Sequence, residues 1–291
     1  MITEHLNDKL HFSILTPVRN GAAFVEDLIN SVLQQDYADY EHIIIDDGSN
    51  DDGATANTLR RYPHLKWKSQ INVGQYPTQN ELIKMASGDV VSIICADDLY
   101  ATTTVLSSIA KRFAAKPDLE VVIGRTRRLV EKDGIRYVFD PDLPAFLARK
   151  VVRYSLNIQH CAVFVRRRLL EDKNLYFDTY YKMRGDWDWI IRLLAATTKV
   201  EYTNEVLAIW RLHERQMSRT GQTGEIEVRR LCGVHGISYR LHRAVHYGMN
   251  RLGMICAAYS LGRQVGVAAA MRATISHARR AISGARNQES S

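Results

Sequence analysis

The chain has no pair of cysteines at metal-binding or redox spacing. Its four cysteines, Cys95, Cys161, Cys232 and Cys256, are scattered through 291 residues. Without a CxxC motif, zinc-ribbon and thioredoxin-like readings fall away, and reduced thiols in a cytoplasmic protein are expected. A long apolar run is missing too. The best stretch, Leu252–Met271, is broken by Arg263 and Gln264 and makes a poor spanning helix. Met1–Asp8 is polar, and no secretory leader is expected from it. Lysine is absent from residues 225–291, which hold ten arginines against three glutamates. That segment carries the whole net charge of +7, so residues 1–224 are balanced. Hydrophobic residues make up 46% of the chain, an ordinary globular share that suffices for one large core.

What is present is an alternation of strand-like and helix-like stretches. Strands are expected over His11–Leu15, His42–Ile45, Leu65–Ser69, Val90–Cys95 and Leu119–Ile123. Helices are expected over Ala22–Gln35, Asp51–Arg60, Thr78–Ala86 and Thr102–Ala114. This βαβα order implies an α/β fold with a doubly wound, mostly parallel sheet and right-handed crossovers. The pattern changes after residue 124. Arg127–Val130 and Ile135–Phe139 flank Lys132-Asp133-Gly134, a hairpin signal, and Pro141 and Pro144 mark a loop. Strands at Cys161–Val165 and Val206–Leu212 and a helix at Trp187–Ala196 follow, and residues 225–285 read as helical.

Two acidic pairs stand at the ends of buried-type strands: Asp46-Asp47-Gly48-Ser49 after His42–Ile45, and Cys95-Ala96-Asp97-Asp98 after Val90–Ile94. Open α/β sheets bind ligands beyond the carboxyl ends of their strands. Carboxylates gathered on one such edge repel one another unless a cation or a donor-rich ligand lies between them. Hard divalent cations prefer these oxygens and keep phosphate and water in their other positions. The plainer reading of Asp97-Asp98 is a solvated turn with Asp98 as helix cap, and Ser49, Asn50 or Asp51 are candidate caps of the next helix. Asn20-Gly21 permits a tight turn into a helix whose N-terminus can accept an anion, or is simply a β–α turn.

Taken in order, Thr16-Pro17-Val18-Arg19-Asn20, Ile44-Ile45-Asp46-Asp47-Gly48-Ser49, Asn72-Val73-Gly74-Gln75, Ala86-Ser87-Gly88-Asp89, Ala96-Asp97-Asp98, Arg184-Gly185-Asp186-Trp187-Asp188-Trp189 and Trp210-Arg211-Leu212-His213-Glu214 resemble family 2 glycosyltransferases, inverting enzymes of the GT-A fold. The resemblance covers roughly residues 11–220. It implies nucleotide and donor contacts at Thr16, Pro17, Val18, Asn20, Asp46, Asp47, Asn72, Gln79 and Asp97. It implies metal ligation, by Mn²⁺ or Mg²⁺, at Asp98 and His213, and a general base at Asp186. Gln159, His160 and Trp187 fall on the acceptor side. Arg211, Arg215 and Arg219 would add positive charge near the diphosphate. Many relatives carry Arg-Asn where this chain has Gln79-Asn80, which leaves the nucleotide open. An inverting transfer needs one carboxylate to take the acceptor proton, and an apolar wall beside Asp186 would raise its pKa. For Asp188, an ordinary first-turn acid is the expectation.

The expected organisation is a catalytic domain over 1–224, with a nucleotide half at about 11–124 and an acceptor half at about 125–224, followed by a basic helical extension over 225–291. Expected partners are a nucleotide-sugar donor, with a UDP-sugar favoured, and a glycan or lipid-linked acceptor, as in cell-surface polysaccharide synthesis. The arginine-rich extension fits either a peripheral contact with an anionic membrane on its cytoplasmic face or packing on the catalytic domain. Nucleic acid is not expected, because no recognised module accompanies the charge. Two rivals stay open: a sugar nucleotidylyltransferase, which would release pyrophosphate, and a non-catalytic nucleotide-sugar-binding partner.

Overall fold

The computed structural model describes residues 9–132, 135–139, 145–155, 158–213 and 221–265. The order is β1 (Phe12–Val18), α1 (Val25–Leu33), β2 (Tyr40–Asp47), α2 (Ala54–Arg60), β3 (Lys66–Gln70), α3 (Gln75–Met85), β4 (Val90–Ile93), β5 (Leu99–Tyr100), α4 (Val105–Ala115), β6 (Val121–Lys132) and β7 (Ile135–Phe139). Then come α5 (Ala145–Val151), a 3₁₀ turn at His160–Ala162, β8 (Val163–Arg166), α6 (Arg167–Asp172), α7 (Gly185–Ala196), β9 (Val200–Leu212), α8 (Gly221–Val234) and α9 (Tyr239–Val265).

One sheet of order β3-β2-β1-β4-β8-β6-β9-β5 runs through the molecule, with β7 beside β6. Its first four strands are parallel. Beyond β4 the sheet is mixed: β8 is antiparallel to β4 and β6, while β6 and β9 are parallel. The expected α/β class therefore holds, with an unbroken parallel run over β3-β2-β1-β4 and one further parallel pair, β6 and β9. Alternation along β1 explains the layering. Leu15 packs toward α3 and α7, whereas Phe12 and Ile14 pack toward α1 and α4. In α1, Val25, Leu28, Ile29 and Val32 recur at helical spacing and are buried, and Glu26 and Asp27 in its first turn suit the helix dipole.

Several boundaries differ for physical reasons. Helix α3 begins at Gln75, not Thr78, because Pro77 sits in the first turn, where its missing N–H has no intrahelical acceptor to lose. The two expected strands Leu119–Ile123 and Arg127–Val130 are one long strand, β6, whose register against β9 shifts on either side of Arg125. Its end pairs with β7 from Lys132↔Ile135 to Arg128↔Phe139, the hairpin that Asp133-Gly134 implied. Short β5, α5 and α6 carry too few residues to show a period. The C-terminal helices are interrupted between Val234 and Tyr239. The proline loop at Pro141 and Pro144, together with Glu214, Arg215, Arg219 and residues 266–285, lies outside the described residues. Cys95, Cys161 and Cys232 are free thiols.

Candidate active site

The carboxyl ends of β1, β2 and β4 meet along one sheet edge, and each sends out a loop. The β1 and β2 loops clasp each other. Asn20, at φ 51, donates its amide to Ser49 Oγ (2.8 Å) and its side-chain Nδ2 to Asn50 Oδ1 (2.7 Å), while Asn50 N returns a bond to Asn20 Oδ1 (2.8 Å). Asp46 Oδ1 accepts from Ser49 N and Ser49 Oγ (3.0 and 2.6 Å). Asp47 reaches the next loop: Oδ1 accepts from Gln70 Nε2 and Val73 N (both 2.9 Å), and Oδ2 from Gly74 N (2.9 Å). Gly48 lies between them at φ +71, and a Cβ there would sit 2.7 Å from Asn72 N, so only glycine permits this approach. Asp51 caps the next helix through Thr55, its Oδ2 accepting from Thr55 N and Oγ1 (3.1 and 2.6 Å).

The structure gives the second acidic pair two different environments. Asp98 is enclosed, 3% exposed. Its Oδ1 accepts from Arg211 N (3.3 Å), and the Cys161 thiol also bonds it. Burial and the adjacent Asp97 push its carboxyl well above the ordinary range. Asp97 is more open, and its Oδ2 is 2.9 Å from His213 Nε2. The His213 ring packs on Phe24 at 4.6 Å. Cys95 Sγ and the two carboxylates lie within 4.8 Å of one another, a spacing that could hold a cation. Carboxylate oxygen and imidazole nitrogen are donors that suit a hard or borderline divalent metal.

Arg211 was expected to face the diphosphate, and here the structure corrects the sequence reading. Its guanidinium is buried and turned inward, with Nη2 2.6 Å from Asp27 Oδ2, Nη1 3.2 Å from Glu131 Oε1 and Nε donating to Asp97 O at 3.1 Å. It braces the acidic loop from behind, and its charge is spent on Asp27 and Glu131.

Asp186 stands at the second residue of α7, across from the acidic loop. Its Oδ1 accepts from Trp187 N at 2.9 Å, and its Oδ2 lies 3.9 Å from His160 Nδ1. Burial raises its carboxyl above the ordinary value, with His160 and Arg184 partly opposing. Burial lowers the His160 imidazole, and its Nδ1 has no hydrogen-bond partner. On its other side His160 Nε2 is 3.4 Å from Cys95 Sγ, to which Gln75 Nε2 also points at 3.6 Å. The row Gln75, Cys95, His160, Asp186 thus spans from the first half of the chain to the second. Burial and the surrounding carboxylates push the Cys95 thiol well up, so it is protonated. The first turn of α7 can pass close to α3 because residue 185 is glycine: a Cβ there would lie 2.8 Å from the Tyr76 ring.

Two expected contacts are not exposed. Trp187 is 1% exposed, donates Nε1 to Val152 O (2.9 Å) and packs its ring on His242, so it offers no face to a sugar. Its burial follows from the position: residue 187 faces the core side of an amphipathic helix. Gln79 is fully enclosed, and its amide nitrogen and oxygen have no partners. Its neighbour Asn80 instead ties the two halves, bonding both Phe177 O (2.9 Å) and Phe177 N (2.7 Å). Thr16 and Val18 are buried, with Thr16 Oγ1 3.1 Å from His42 Nε2; Asn72 is exposed, and Gln159 immediately precedes the 3₁₀ turn. Asp188 is more than a first-turn acid: it is buried and pairs with Arg192 and His235. The sequence reading missed Cys95 as a neighbour of His160, although its position two residues before Asp97 on the same strand exit was a signal. It also missed Asp27 and Glu131, which nothing in the local pattern marks.

A parallel sheet ending in acidic loops, with a carboxylate from the second half facing them, defines the class of GT-A nucleotide-sugar transferases. The family model described as "Glycosyl transferase family 2" matches residues 13–174, and the chain belongs to that family. The "PGL/p-HBAD biosynthesis glycosyltransferase" of Mycobacterium bovis is 26% identical over 202 residues, covering 68% of this chain and 75% of that protein. The structure of Staphylococcus aureus TarS residues 1–349 in complex with UDP-GlcNAc superposes with a TM-score of 0.62 at 17% identity, over 91% of this chain and 81% of that one. In the longer TarS structure the match takes in only 39% of the neighbour. The mannosyltransferase PcManGT of Pyrobaculum calidifontis, in complex with GDP-Man and Mn²⁺, matches with a TM-score of 0.56 at 18% identity, over 96% and 81%. The protein is therefore a glycosyltransferase of this fold.

Proposed function

We propose that the protein moves a sugar from a nucleotide-sugar donor, a UDP-sugar being the first choice, to a hydroxyl of a glycan or lipid-linked acceptor, with inversion. The observation that carries this is the row from the acidic loop to Asp186: Cys95 to His160 at 3.4 Å and His160 to Asp186 at 3.9 Å. It links the acidic loop, with its partly open carboxylate Asp97, to a second, half-buried carboxylate, Asp186, whose pKa is raised by desolvation. Asp97 and His213 are assigned to a divalent cation, Mn²⁺ or Mg²⁺, in place of Asp98, whose enclosure and bonds to Arg211 and Cys161 argue for a bracing role. Such a cation would neutralise the charge of the departing nucleoside diphosphate. Asp46 and Asp47 shape the nucleoside side by holding the loops at Ser49 and Val73-Gly74. Asp186 takes the acceptor proton on Oδ2, the oxygen left free by Trp187 N, and desolvation, by raising its pKa, makes it a stronger base than an exposed carboxylate. Residues 1–224 form the catalytic unit in this reading.

The test is a thermal-shift panel of nucleotides and nucleotide sugars with and without Mn²⁺, followed by transfer assays with the donor it selects. Asp186→Asn is expected to lower turnover by about 10²–10⁴-fold with donor binding intact. Asp97→Asn is expected to abolish the Mn²⁺ dependence of donor binding, and Asp98→Asn to weaken the fold more than metal binding. Stabilisation by no nucleoside diphosphate, or full turnover by the Asp186→Asn protein, would remove the assignment.

A further inference from the structure

The segment after the catalytic unit reaches back to the candidate base. Glu227, in α8, is an acidic residue only 3% exposed. Its Oε1 accepts from Lys182 N at 2.7 Å, and its Oε2 from Met183 N and Arg184 N at 3.0 and 2.9 Å. These are three consecutive amides at the approach to α7, and Asp186 follows two residues later. Helix α7 has no side-chain cap of its own at Arg184. A carboxyl from a distant helix thus holds the three amides that lead into the positive end of α7. Two further ties hold the far side of Asp186: His235 Nε2 lies 2.8 Å from Asp188 Oδ1, and the His242 ring packs on Trp187 at 5.0 Å. Val228, Leu231 and Cys232 of α8, with Ile237 just beyond it, lie in the same core as Trp187 and Trp189.

We infer that Glu227 is a positioning residue for the transfer reaction, acting through residues 182–184 and the start of α7 to set the carboxylate of Asp186. The inference rests on the reading of Asp186 as base. Buried side chains settle the helix body, but the loop before it carries Tyr180 and Lys182 outward, and its three consecutive amides converge on the one Glu227 carboxyl. A carboxylate accepts at both oxygens, whereas an amide of the same shape turns an NH₂ toward at least one N–H. Displacing a reacting group by a fraction of an ångström lowers turnover without touching donor affinity.

The experiment compares Glu227→Gln with the unchanged protein in the donor-transfer assay. Binding of UDP with Mn²⁺, by calorimetry, reports on the donor half, and hydrogen exchange reports on the amides of residues 182–184. Turnover is expected to fall roughly ten- to a hundredfold, with UDP affinity within about twofold and exchange protection lost at those amides. The same substitution in an Asp186→Asn background is expected to cost nothing more, because both changes act on one group. Glu227→Asp, which keeps the charge but withdraws it by one methylene, supplies a second variant should the glutamine protein fail to fold. Unchanged turnover despite lost protection overturns the inference, and so does an equal further loss in the Asp186→Asn background. Full activity of Asp186→Asn alone is a different result, and it removes the base reading itself.

Discussion

Glu41 sits at the opposite end of the sheet from the acidic loops, and its replacement by glutamine isolates stability from chemistry. The carboxylate is 7% exposed and joins four segments. Oε1 accepts from Ser13 Oγ (2.6 Å), Ser87 N (2.7 Å) and Ser87 Oγ (2.8 Å), and Oε2 pairs with Lys66 Nζ (2.7 Å). Burial alone would raise its pKa, but Lys66, Ser13 and Ser87 outweigh it and hold the group at about 2 instead of 4.5. A folded-state pKa below the unfolded one stabilises the fold above the unfolded value, here by about 3 kcal/mol at neutral pH. That contribution is lost as pH falls from 4.5 through 2. Since glutamine keeps one acceptor, Glu41→Gln is expected to cost about 2–3 kcal/mol at pH 7. Urea unfolding at a series of pH values measures it. The gap between the two proteins should stay constant down to about pH 5 and shrink to less than about half by pH 3. A variant as stable as the parent at pH 7, or a gap indifferent to pH down to 3, would refute the reasoning.

Two other perturbations follow from the same geometry. Gly185→Ala places a Cβ 2.8 Å from the Tyr76 ring, which is itself stacked on Phe177, so the ring cannot yield freely; a loss of about 1–3 kcal/mol in denaturant unfolding is expected, with turnover reduced beyond what stability explains. We propose peripheral membrane contact through α9, where Leu241, Tyr247 and Leu252 are exposed beside Arg240, Arg243 and Arg251; cosedimentation with vesicles rich in anionic lipid should fall when these arginines become glutamine, and salt-insensitive binding to neutral vesicles would contradict it. Among the described residues no helix is long and apolar enough to cross a membrane.

The first half of the fold was legible because β1, β2 and β4 are apolar runs ended by turn signals, and α1 and α4 carry one-sided apolar stripes. The order Ile45-Asp46-Asp47-Gly48 showed both the strand end and the residue that must turn there. The second half was less legible. Strand β6 reads as two strands since it leaves one pairing environment for another near Arg125, and the break in hydrophobicity follows the break in register. At the site, residue types were readable and their directions were not. Asp97 and Asp98 are adjacent letters, yet one side chain faces His213 and the other Arg211 and Cys161. That difference is decided by β9, more than a hundred residues later. Trp187 was placed on the acceptor side because its period alone does not say what will cover it; α9 does, through His242.

The dependence of the acidic loop on β9 sets an order of assembly. On a ribosome, Asp97 and Asp98 emerge 116 and 113 residues before His213 and Arg211, their respective partners. Until β9 slides in beside β6, the nascent chain carries two adjacent carboxylates with neither the Arg211 brace nor the His213 partner. The parallel strands β1 to β4 can pair meanwhile, since their contacts are more local, and such long-range pairing as β6 with β9 forms late. The acidic loop thus takes its braced form only once β9 has joined the sheet, after the β1–β4 scaffold is already in place.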